Sequence, residues 1–493
     1  MAITKQAENP EQAKFAVHEL GTIASVRECI LKVKGLASCI NGQIVEFEQG
    51  GKGIVFGFNA DEIQVLVLNT QAPLHVGEKV LSKGEFLHLP VGDKFLGRIV
   101  NGLCEPVDGQ GPIEAGDNFP VFIDAPGVMD RAPVKETLET GALLLDAVIP
   151  IAKGQRQLLI GDRLTGKTTV AIDAIINQQG RDVVCIYCCI GKTNSSLIKL
   201  LNLFNEKGVM PYTIVVSAVA SVPMGEQYLA PYTACMLGEY FMKKGKDVLL
   251  IHDDLTKHAW VYRQISLLLE RAPGREAYPG DIFYIHSQLM ERAGYLKPEL
   301  GGGSMTFLPI VEILQGDVTG YVSSNLISMT DGQIYFSTTL FNKGVRPAID
   351  FGLSVSRIGN KAQWPAMKAL SGQLRLEYLQ YQELLQMTQL RTTGLSKDAE
   401  DRMKRGQAIT QLLIQDKNNP ISMEAEVMYL FALSMGVLDS LSPQDFKRFK
   451  NEFVKLVQKE FPDLFGEIRK TLVLNDTSIE MLYEALNHYF AQT

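Results

Sequence analysis

The stretch Gly161-Asp-Arg-Leu-Thr-Gly-Lys-Thr168 fits the phosphate-loop template Gly-x-x-x-x-Gly-Lys-[Ser/Thr] at every defined position. The residues around it suit that motif: Arg156 to Ile160 reads as a short buried strand, and Lys167 to Asn177 as a helix with apolar side chains one turn apart. A loop at a helix N-terminus attracts phosphate, because backbone N–H groups point at the anion and the helix dipole favours negative charge. The stretch therefore predicts a nucleotide-binding α/β domain.

The residues of this loop have separate expected roles. Lys167 is expected to reach the terminal phosphates of a nucleotide, and the Thr168 hydroxyl is expected to ligate Mg²⁺. The residues predicted to contact the nucleotide here are Gly161, Asp162, Arg163, Leu164, Thr165, Gly166, Lys167, Thr168 and Thr169.

A second acidic element is expected after another buried strand. The run Val248-Leu-Leu-Ile-His-Asp-Asp254 ends in two carboxylates, and either could face the metal. Asp253 is favoured because it comes first after the apolar run. Together with Thr168 it supplies the hard oxygen ligands that Mg²⁺ prefers.

Composition narrows the class of protein. The chain has 493 residues, 46% of them hydrophobic and 21% charged, which is globular material for several separate cores. Its net charge of −7 argues against a general nucleic-acid surface, because phosphate neutralisation needs clustered Lys and Arg. No apolar run approaches the roughly 20 residues of a membrane span, and the N-terminus lacks a signal-peptide core or an Arg-rich transit pattern. We expect any link to a membrane to come through partners.

The seven cysteines form an odd set without paired metal-ligand spacing. Cys185-x-x-Cys188-Cys189 resembles a redox or zinc element, but it lies within Val183–Ile190, which reads as a buried strand. Cysteine acts there as a small hydrophobe. The pattern therefore favours buried thiols in a reducing compartment.

Three regions follow one another along the sequence. Short strands broken by glycine, such as Gly53–Phe58 and Ile63–Leu68, predict a small β-barrel. Strands at 183–190, 213–217 and 248–252 then alternate with helices such as 230–242, which predicts a parallel α/β sheet. Later, apolar residues recur on one helical face, which predicts a helical C-terminal domain. The predicted boundaries are 1–20 for a short N-terminal segment, 21–88 for the barrel, 89–364 for the nucleotide-binding domain and 365–493 for the helical domain.

Longer motifs resemble those of the alpha subunits of F-type ATP synthases, from about residue 19 to the C-terminus. The motifs that carry this resemblance are Gly161–Thr168, Tyr228-Leu-Ala-Pro-Tyr232, Tyr262–Leu269, Pro273–Asp281, Ile327–Gln333, Arg346-Pro-Ala348 and Leu353-Ser-Val-Ser-Arg357. The resemblance implies an N-terminal β-barrel, a central P-loop NTPase domain of the RecA-like type and a C-terminal α-helical domain.

The same resemblance implies partners and ligands. Three alpha and three beta subunits would alternate in a hexameric head around a central-stalk gamma subunit, with a peripheral-stalk delta subunit and no nucleic acid. Alpha subunits of this family bind ATP or ADP with Mg²⁺ without turning it over, while beta subunits carry catalysis. Membrane association would come only through the ion-conducting sector, on the cytoplasmic face of a bacterial inner membrane. An organelle-encoded subunit at a thylakoid or mitochondrial inner membrane is the alternative.

Lys192 supports the non-catalytic role on chemical grounds. Catalytic relatives place a Glu soon after the third strand to position the attacking water, and the matching residue here is Lys192. A cation cannot act as that base at neutral pH. Lys192 also departs from the Gln usual in alpha subunits, and it could either reach bound phosphate or point to solvent.

Arg357 and Ser354 match the family's catalytic contribution to the neighbouring subunit. The resemblance assigns Arg357 as an arginine finger that reaches the nucleotide held by beta, where a guanidinium suits the spread charge of phosphoryl transfer. A structural ion pair is the alternative role for this residue. Ser354 matches a position that the family needs for activity, and it could act by positioning the loop.

The resemblance also places the adenine contacts. They fall at Arg346 and Pro347 and on a helical-domain loop with two Gln around one residue; this protein has Gln415-Asp416-Lys417 there. Leu164 replaces the Gln that is usual in the phosphate loop of the family. Together with Lys192 and Lys417, it makes three departures from the family pattern around one site. We therefore expect nucleotide affinity or base preference to differ from the family norm.

The N-terminal segment departs from the family as well. Fewer residues precede Gly21 than is usual, and Met1 to Glu11 with Pro10 makes a poor helix, so attachment of a peripheral stalk is expected to differ.

Two other functions compete with this assignment. A self-sufficient ATPase like the beta subunit would need the carboxylate that Lys192 replaces. A hexameric nucleic-acid motor like the Rho terminator shares the small barrel and phosphate-loop core, but the acidic charge and the helical domain count against it.

Overall fold

The computed structural model describes residues 2–5, 15–59, 61–389 and 396–492. Its strands, in sequence order, are β1 (Ala2–Lys5), β2 (Phe15–Arg27), β3 (Ile30–Lys34), β4 (Gln43–Phe47), β5 (Gly51–Phe58), β6 (Ile63–Thr70), β7 (Lys79–Phe86), β8 (His88–Val91), β9 (Ile99–Val100), β10 (Asp117–Pro120), β11 (Thr137–Leu138), β12 (Ile151–Ala152), β13 (Leu158–Gly161), β14 (Val183–Ile190), β15 (Thr213–Ala218), β16 (Asp247–Asp253), β17 (Gly294–Tyr295), β18 (Ser304–Glu312), β19 (Gly332–Phe336) and β20 (Val355–Ser356).

The α-helices of the same residues are α1 (Leu143–Val148), α2 (Lys167–Ile176), α3 (Asn194–Glu206), α4 (Met224–Lys243), α5 (Leu255–Leu268), α6 (Ile282–Glu291), α7 (Tyr321–Met329), α8 (Thr338–Asn342), α9 (Gly359–Ala362), α10 (Pro365–Ser371), α11 (Leu374–Gln389), α12 (Lys397–Leu413), α13 (Met423–Ser434), α14 (Pro443–Glu460), α15 (Pro462–Thr471) and α16 (Asp476–Gln492).

The protein forms two compact units. The first contains the described residues up to Arg131 together with Val183–Val311 and Thr319–Met329. The second contains Ala132–Asp182, Glu312–Val318 and the described residues from Thr330 onward. Both units are therefore built from segments that are distant in sequence.

The first unit begins with the predicted β-barrel. Six antiparallel strands run in the order β2-β3-β6-β5-β4-β7, and pairing of β2 with β7 closes them. Side chains alternate between inside and outside, as in β4, where Gln43, Val45 and Phe47 are buried. A glycine is required at 53, because a Cβ there would come within 2.5 Å of Val65 Cγ1. Apolar residues fill the interior: Ile23, Leu31, Val33, Leu36, Val45, Phe47, Val55, Ile63, Val65, Val67 and Val80.

The first unit also holds a parallel sheet in the order β9-β15-β14-β16-β18. β14 is buried along its whole length, as expected for a strand with both faces covered. The prediction that its cysteines are buried is confirmed, and burial raises the pKa of the Cys189 thiol to about 12. α4 begins six residues earlier than the predicted 230, because Pro231 lies inside this helix and masks its first turns.

The second unit contains the phosphate-loop strand and the helical region. β13 pairs in parallel with β19, and β19 pairs antiparallel with β20. α13 is buried on all sides from Met423 to Leu433, as expected for the central helix of a bundle. α14 buries Phe446, Phe449, Phe453 and Val457 on one face, and each such side chain contributes about 1.5–3 kcal/mol by leaving water.

The predicted layout of barrel, α/β region and helical region is confirmed along the sequence. No strand follows β20 among the described residues. The exact domain boundaries stay a prediction. In the N-terminal segment only 2–5 and 15–20 are described, and both lie in strands that pair with each other; the rest of the predicted poor helix lies outside the described residues.

Candidate nucleotide site

The phosphate loop joins β13 to α2 in the second unit. Gly161 ends the strand, and a Cβ there would lie 2.5 Å from the carbonyl oxygen of Phe336, so only glycine fits. Gly166 precedes the helix with φ of +102°, a left-handed conformation that glycine adopts without strain. The Thr165 hydroxyl donates to the Asp162 carbonyl at 2.8 Å and tightens the turn. The loop is thus shaped by its own backbone.

Lys167 lies inside this loop. Its side chain is buried, and Nζ donates to the carbonyl oxygens of Gly161 and Asp162. Thr168 and Thr169 follow in the first turn of α2, where the helix dipole is positive. An ammonium and a helix N-terminus together form an anion-binding arrangement.

The other side chains of the phosphate loop either stabilise its conformation or lie at its surface. The Asp162 carboxylate accepts from Gly316 N at 3.0 Å and from the Thr338 hydroxyl at 2.8 Å. Arg163 pairs with Glu312 at 2.9 Å, and Leu164 is 90% exposed. Beside them lies a cleft of about 590 Å³, lined by Asp162, Arg163, Ile313, Leu314, Gln315, Gly316, Tyr335, Ser337, Thr338 and Thr339. Asp162 therefore acts as a structural brace.

The structure brings together the two segments that were predicted to contact the adenine base, Arg346-Pro347 and Gln415–Lys417. Gln415 N donates to the Arg346 carbonyl at 2.8 Å, although 69 residues separate them (415 − 346). The Gln415 side-chain amide donates to the carbonyls of Gly141 at 2.7 Å and Asn419 at 2.9 Å. The Gln415 amide therefore connects the loop that contains Gln415 to the segment around Gly141.

Arg346, Pro347 and Lys417 belong to these two segments. The Arg346 guanidinium lies 4.8 Å from the ring centroid of Phe341, and its side chain is exposed. Pro347 is half-buried, and Lys417 is exposed. An exposed cation and a guanidinium held over a ring are compatible with contacts to a nucleotide.

Two residues that sequence reasoning missed organise this region. Asp173 of α2 accepts a hydrogen bond from Asn418 N at 2.7 Å, which ties the phosphate-loop helix to the loop that contains Gln415 and Lys417. Lys450 of α14 donates to the carbonyls of Leu412 and Ile414 at the end of α12, and burial lowers its pKa to about 8. A polar residue on the buried face of a predicted helix was the available signal for Asp173.

The predicted metal-side carboxylate belongs to the first unit. Asp253 ends β16, and its Oδ2 accepts from the Tyr187 hydroxyl at 2.6 Å and forms an ion pair with Lys192. Lys192 Nζ thus contacts a carboxylate, and its side chain is 17% exposed, so it does not point freely to solvent. Burial, reinforced by Asp253, raises the pKa of Tyr187 well above its usual value, which keeps this hydroxyl a donor.

Asp254 has a different role. It accepts from Lys257 N at 2.8 Å as the cap of α5, and it pairs with the Lys257 ammonium at 2.7 Å. A carboxylate used as a helix cap is already committed. Asp253 therefore stays the predicted metal-side carboxylate.

The donor set suits Mg²⁺ in kind. Thr168 offers a hydroxyl and Asp253 a carboxylate, and Mg²⁺ on a nucleotide takes only one or two protein oxygens besides phosphates and water. Among the described residues, no group of three or more His, Cys, Asp and Glu side chains could hold a metal ion unaided. Each of the two side chains is thus of a kind that Mg²⁺ accepts, and a metal site that they share stays a prediction.

Arg357 and Ser354 lie in the second unit on either side of β20. The Arg357 side chain is exposed, its N donates to the Asp331 carbonyl at 2.9 Å, and its Nη1 is 3.5 Å from the Thr330 carbonyl. Ser354 is buried, and its hydroxyl accepts from Tyr335 N at 2.9 Å. The side-chain contact of Arg357 within the described residues is with a backbone carbonyl, and the choice between an arginine finger and a structural ion pair stays a prediction.

Arg375 was also missed from sequence. Its guanidinium donates to the carbonyls of Phe351 at 2.7 Å and Ser354 at 3.2 Å. It lies in the first turn of α11 and ties the helical region to the loop before Arg357. Nothing local in the sequence marks this contact.

None of the helices in the described part of the protein combines the length and the hydropathy needed to cross a membrane.

Comparison with known proteins agrees with this geometry. Residues 141–356 match the model of the nucleotide-binding domain of the ATP synthase alpha/beta family, and residues 363–489 match that of the C-terminal domain of ATP synthase alpha/beta chains. The protein is 44% identical over 474 residues to ATP synthase subunit alpha of Clostridium botulinum (strain Eklund 17B / Type B), an alignment that covers 96% of its own length and 94% of that relative.

Other relatives give the same result. ATP synthase subunit alpha of Clostridium acetobutylicum is 44% identical over 478 residues, 97% of the present sequence and 94% of that relative. The subunit of Clostridium kluyveri is 44% identical over 487 residues, 99% of the present sequence and 96% of that relative. The protein therefore belongs to the ATP synthase alpha/beta family, among the alpha subunits of F-type ATP synthases.

Proposed function

We propose that this protein binds Mg-ATP or Mg-ADP at a non-catalytic, regulatory site and lends Arg357 to the catalytic site of an adjacent beta subunit. It does so during ATP synthesis or hydrolysis coupled to a transmembrane proton gradient. One observation carries the non-catalytic part: the position where a catalytic subunit needs a carboxylate is Lys192, and its ammonium is paired with Asp253. A protonated lysine cannot polarise water for attack.

Nucleotide binding at this site rests on the phosphate loop. Lys167 and the first turn of α2 would hold the phosphates, and Arg346, Pro347, Gln415 and Lys417 would border the base. Thr168 would contact the Mg²⁺ that accompanies the nucleotide, which supplies charge neutralisation of the phosphates when bound, and Asp253 stays a predicted second ligand. Asp173 supports the proposal because its carboxylate connects the phosphate-loop helix to the loop that contains Gln415 and Lys417.

The arginine-finger role rests on the exposure of Arg357 and on the bonds that fix its loop. Ser354 and Arg375 are positioning residues, since they hold the preceding backbone through Tyr335 N and two carbonyls. A guanidinium that is presented on a fixed backbone can enter a neighbouring site with little loss of conformational freedom.

The proposed partners follow from family membership. Three copies would alternate with three beta subunits around a gamma subunit, and a delta subunit would connect the head to the peripheral stalk. The membrane-embedded ion-conducting sector would hold the assembly at the cytoplasmic face of a bacterial inner membrane.

The first test uses the purified full-length protein alone and then with a beta-type partner. We expect Mg-ATP to bind the protein, measured by calorimetry, with no multiple turnover of ATP until the partner is added. Robust hydrolysis by the protein alone would contradict the non-catalytic role and return the beta-like alternative. Tight, salt-dependent RNA binding would instead favour the nucleic-acid motor.

A further inference from the structure

Two acidic side chains meet in the interior of the second unit. Asp146 lies in α1 and Glu426 lies in α13, and their exposed fractions are 1% and 0%. Their carboxyl groups lie within hydrogen-bonding reach of each other. If both were charged, each would lack water and would repel the other, at a high cost in free energy. One proton shared by the two groups removes most of that cost, because it leaves a single negative charge and supplies an O–H donor.

The surroundings of Asp146 suit the ionised form. Its carboxylate accepts hydrogen bonds from Thr140 N at 3.1 Å, from the Thr140 hydroxyl at 2.8 Å and from Gly141 N at 2.9 Å. Burial is the largest influence and raises the pKa of Asp146 to about 7, while these donors act in the opposite direction. Asp146 is therefore the member of the pair that is equipped to carry the negative charge.

Glu426 has the opposite surroundings. Within the described part of the protein, no N–H or O–H group donates to either of its carboxyl oxygens. Burial first, and then the Asp146 charge, raise the pKa of Glu426 well above its usual value. A protonated Glu426 can donate to Asp146, and both groups then gain a partner.

The neighbouring cations are bound to other carboxylates. Arg181 acts to lower the pKa of Glu426, and Glu424 acts to raise it. Arg181 forms its ion pair with Glu139, and Arg469 pairs with Glu139 at 2.5 Å and with Glu424. These guanidinium groups do not donate to Glu426, so they leave its charge without a direct counter-ion.

The segment that leads into α10 contributes a neutral side chain. α10 packs against both α1 and α13. Just before this helix, the Gln363 amide donates to the backbone carbonyls of Asp146 at 2.8 Å and of Ala147 at 3.0 Å. Lys368 of α10 is exposed. This side of the pair is therefore held by hydrogen bonds from an uncharged group.

Charges on the other helices that pack against α13 have partners or lie in solvent. Arg405 of α12 pairs with Glu377 at 3.0 Å. Lys450 of α14 donates to carbonyls at the end of α12, and Glu480 and Glu484 of α16 are exposed. A proton is therefore the simplest way to balance the charge of the buried pair.

The pair is connected to the segment that precedes the phosphate loop. Gly141 N donates to Asp146, while the Gly141 carbonyl accepts from the Gln415 amide at 2.7 Å and from Ile421 N at 2.9 Å. A second negative charge, on Glu426, would push α13 away from this segment. The protonation of the pair would therefore affect how the helical region packs against Gly141.

We propose that Asp146 and Glu426 form a buried proton-binding site, in which Glu426 keeps its proton at neutral pH and donates to the Asp146 carboxylate. The site fastens α13 to the segment before the phosphate loop, and it weakens as rising pH removes the proton. The inference concerns the folded chain itself and does not depend on nucleotide binding.

The test compares the unfolding equilibrium of the full-length protein with that of Glu426→Gln. A Gln amide can donate to Asp146 without a proton, whereas a Glu is ionised in the unfolded state above about pH 5. Between about pH 5 and pH 8 the folded unchanged protein binds the proton of Glu426 and the unfolded state does not, so this group makes stability fall as pH rises. Denaturant titrations measure both unfolding constants across this window. Their ratio, unchanged protein over Glu426→Gln, should rise by about tenfold per pH unit.

Glu424→Gln is the matched control. Glu424 lies in the same helix and is also buried, but its carboxylate pairs with Arg469. Loss of this charge should change the unfolding constant by a similar factor at every pH in the window, because an ion-paired carboxylate is ionised in both states. A ratio for Glu426→Gln that is equally constant with pH would overturn the proposal.

Infrared absorption gives a second readout that does not depend on stability. A protonated carboxyl group has a higher C=O stretching frequency than a carboxylate. The folded unchanged protein should show this band at neutral pH, and Glu426→Gln should lose part of it. If Glu426→Gln does not fold, the unchanged protein decides the case, since absence of the band at neutral pH would overturn the proton-binding site.

Discussion

Gly406 illustrates how a single residue decides helix packing. It lies in the interior of α12, where glycine is normally unfavourable, and a Cβ there would lie 2.0 Å from Cγ of Tyr381 in α11. Tyr381 is buried on one face of α11, together with Leu374 and Tyr378. The missing side chain lets α11 and α12 approach.

Gly406→Ala should therefore lower the free energy of unfolding by about 1–3 kcal/mol, since the tyrosine ring must move. Gly466 offers a matched control, because it lies inside α15 and a Cβ added there would meet nothing within 4 Å. Gly466→Ala should stabilise by about 0.5–1 kcal/mol through reduced freedom of the unfolded state. Denaturant midpoints measure both variants, and equal shifts would contradict the packing role of Gly406.

At the scale of elements, three buried histidines join β16, α5 and α6. His258 and His286 have ring centroids 5.7 Å apart, His252 packs against Phe307 at 4.6 Å, and all three are buried. Burial lowers the pKa of His258 to about 4 and of His286 to about 3. Tyr228 stacks on His258, and its carbonyl contacts His258 Nε2. These rings pack as neutral aromatic groups.

The lowered pKa values predict acid sensitivity. Between about pH 6.5 and pH 3 the unfolded state binds a proton at His286 that the folded state does not, so stability falls as pH falls through this window. One such group costs about 2 kcal/mol from about pH 6.5 to about pH 5. His286→Met should reduce the slope by the contribution of this one group, leaving that of His258 and His252, while the exposed His75→Gln should leave the slope unchanged. Unfolding free energies at several pH values measure this; parallel curves for the His286 variant and the unchanged protein would contradict it.

At the scale of the whole molecule, each unit combines segments from distant parts of the sequence. In the second unit, Arg469 of α15 pairs with Glu139 at 2.5 Å and with Glu424 of α13. Glu139 also pairs with Arg181, which follows the phosphate-loop helix. This network ties the nucleotide-binding segments to the helical region, and partial burial makes its charges stronger than exposed surface pairs.

Arg357 gives the prediction that belongs to the assembly. In a reconstituted head with beta subunits, Arg357→Ala should lower ATP turnover by about 10³-fold or more while leaving ATP binding by this subunit unchanged. Arg357→Lys should restore little, because an ammonium lacks the planar fork. Arg402→Ala, an exposed arginine in α12, should keep full turnover. Steady-state ATP hydrolysis measures the turnover of each variant, and normal turnover in Arg357→Ala would refute the arginine-finger role.

Much of the fold was predictable because it depends on local patterns. The phosphate loop, the buried strand β14 and the helix α2 follow from residues adjacent in sequence, and their bounds agree closely with prediction. Less of the barrel was predictable: β3, β4 and β7 were not individually recognised, because they are short and their pairing partners are remote. The start of α4 was missed because Pro231 is normally unfavourable inside a helix.

Residues read along the chain were enough to predict the phosphate loop, the order of barrel, α/β and helical regions, and the lysine at position 192. These are properties of residue type and short-range spacing. The contacts of Lys192 with Asp253, of Asp173 with Asn418 and of Arg375 with the loop before Arg357 became visible only in the folded protein. Such pairs lie tens to hundreds of residues apart, and hydrogen bonds form only after folding brings both partners within about 3 Å.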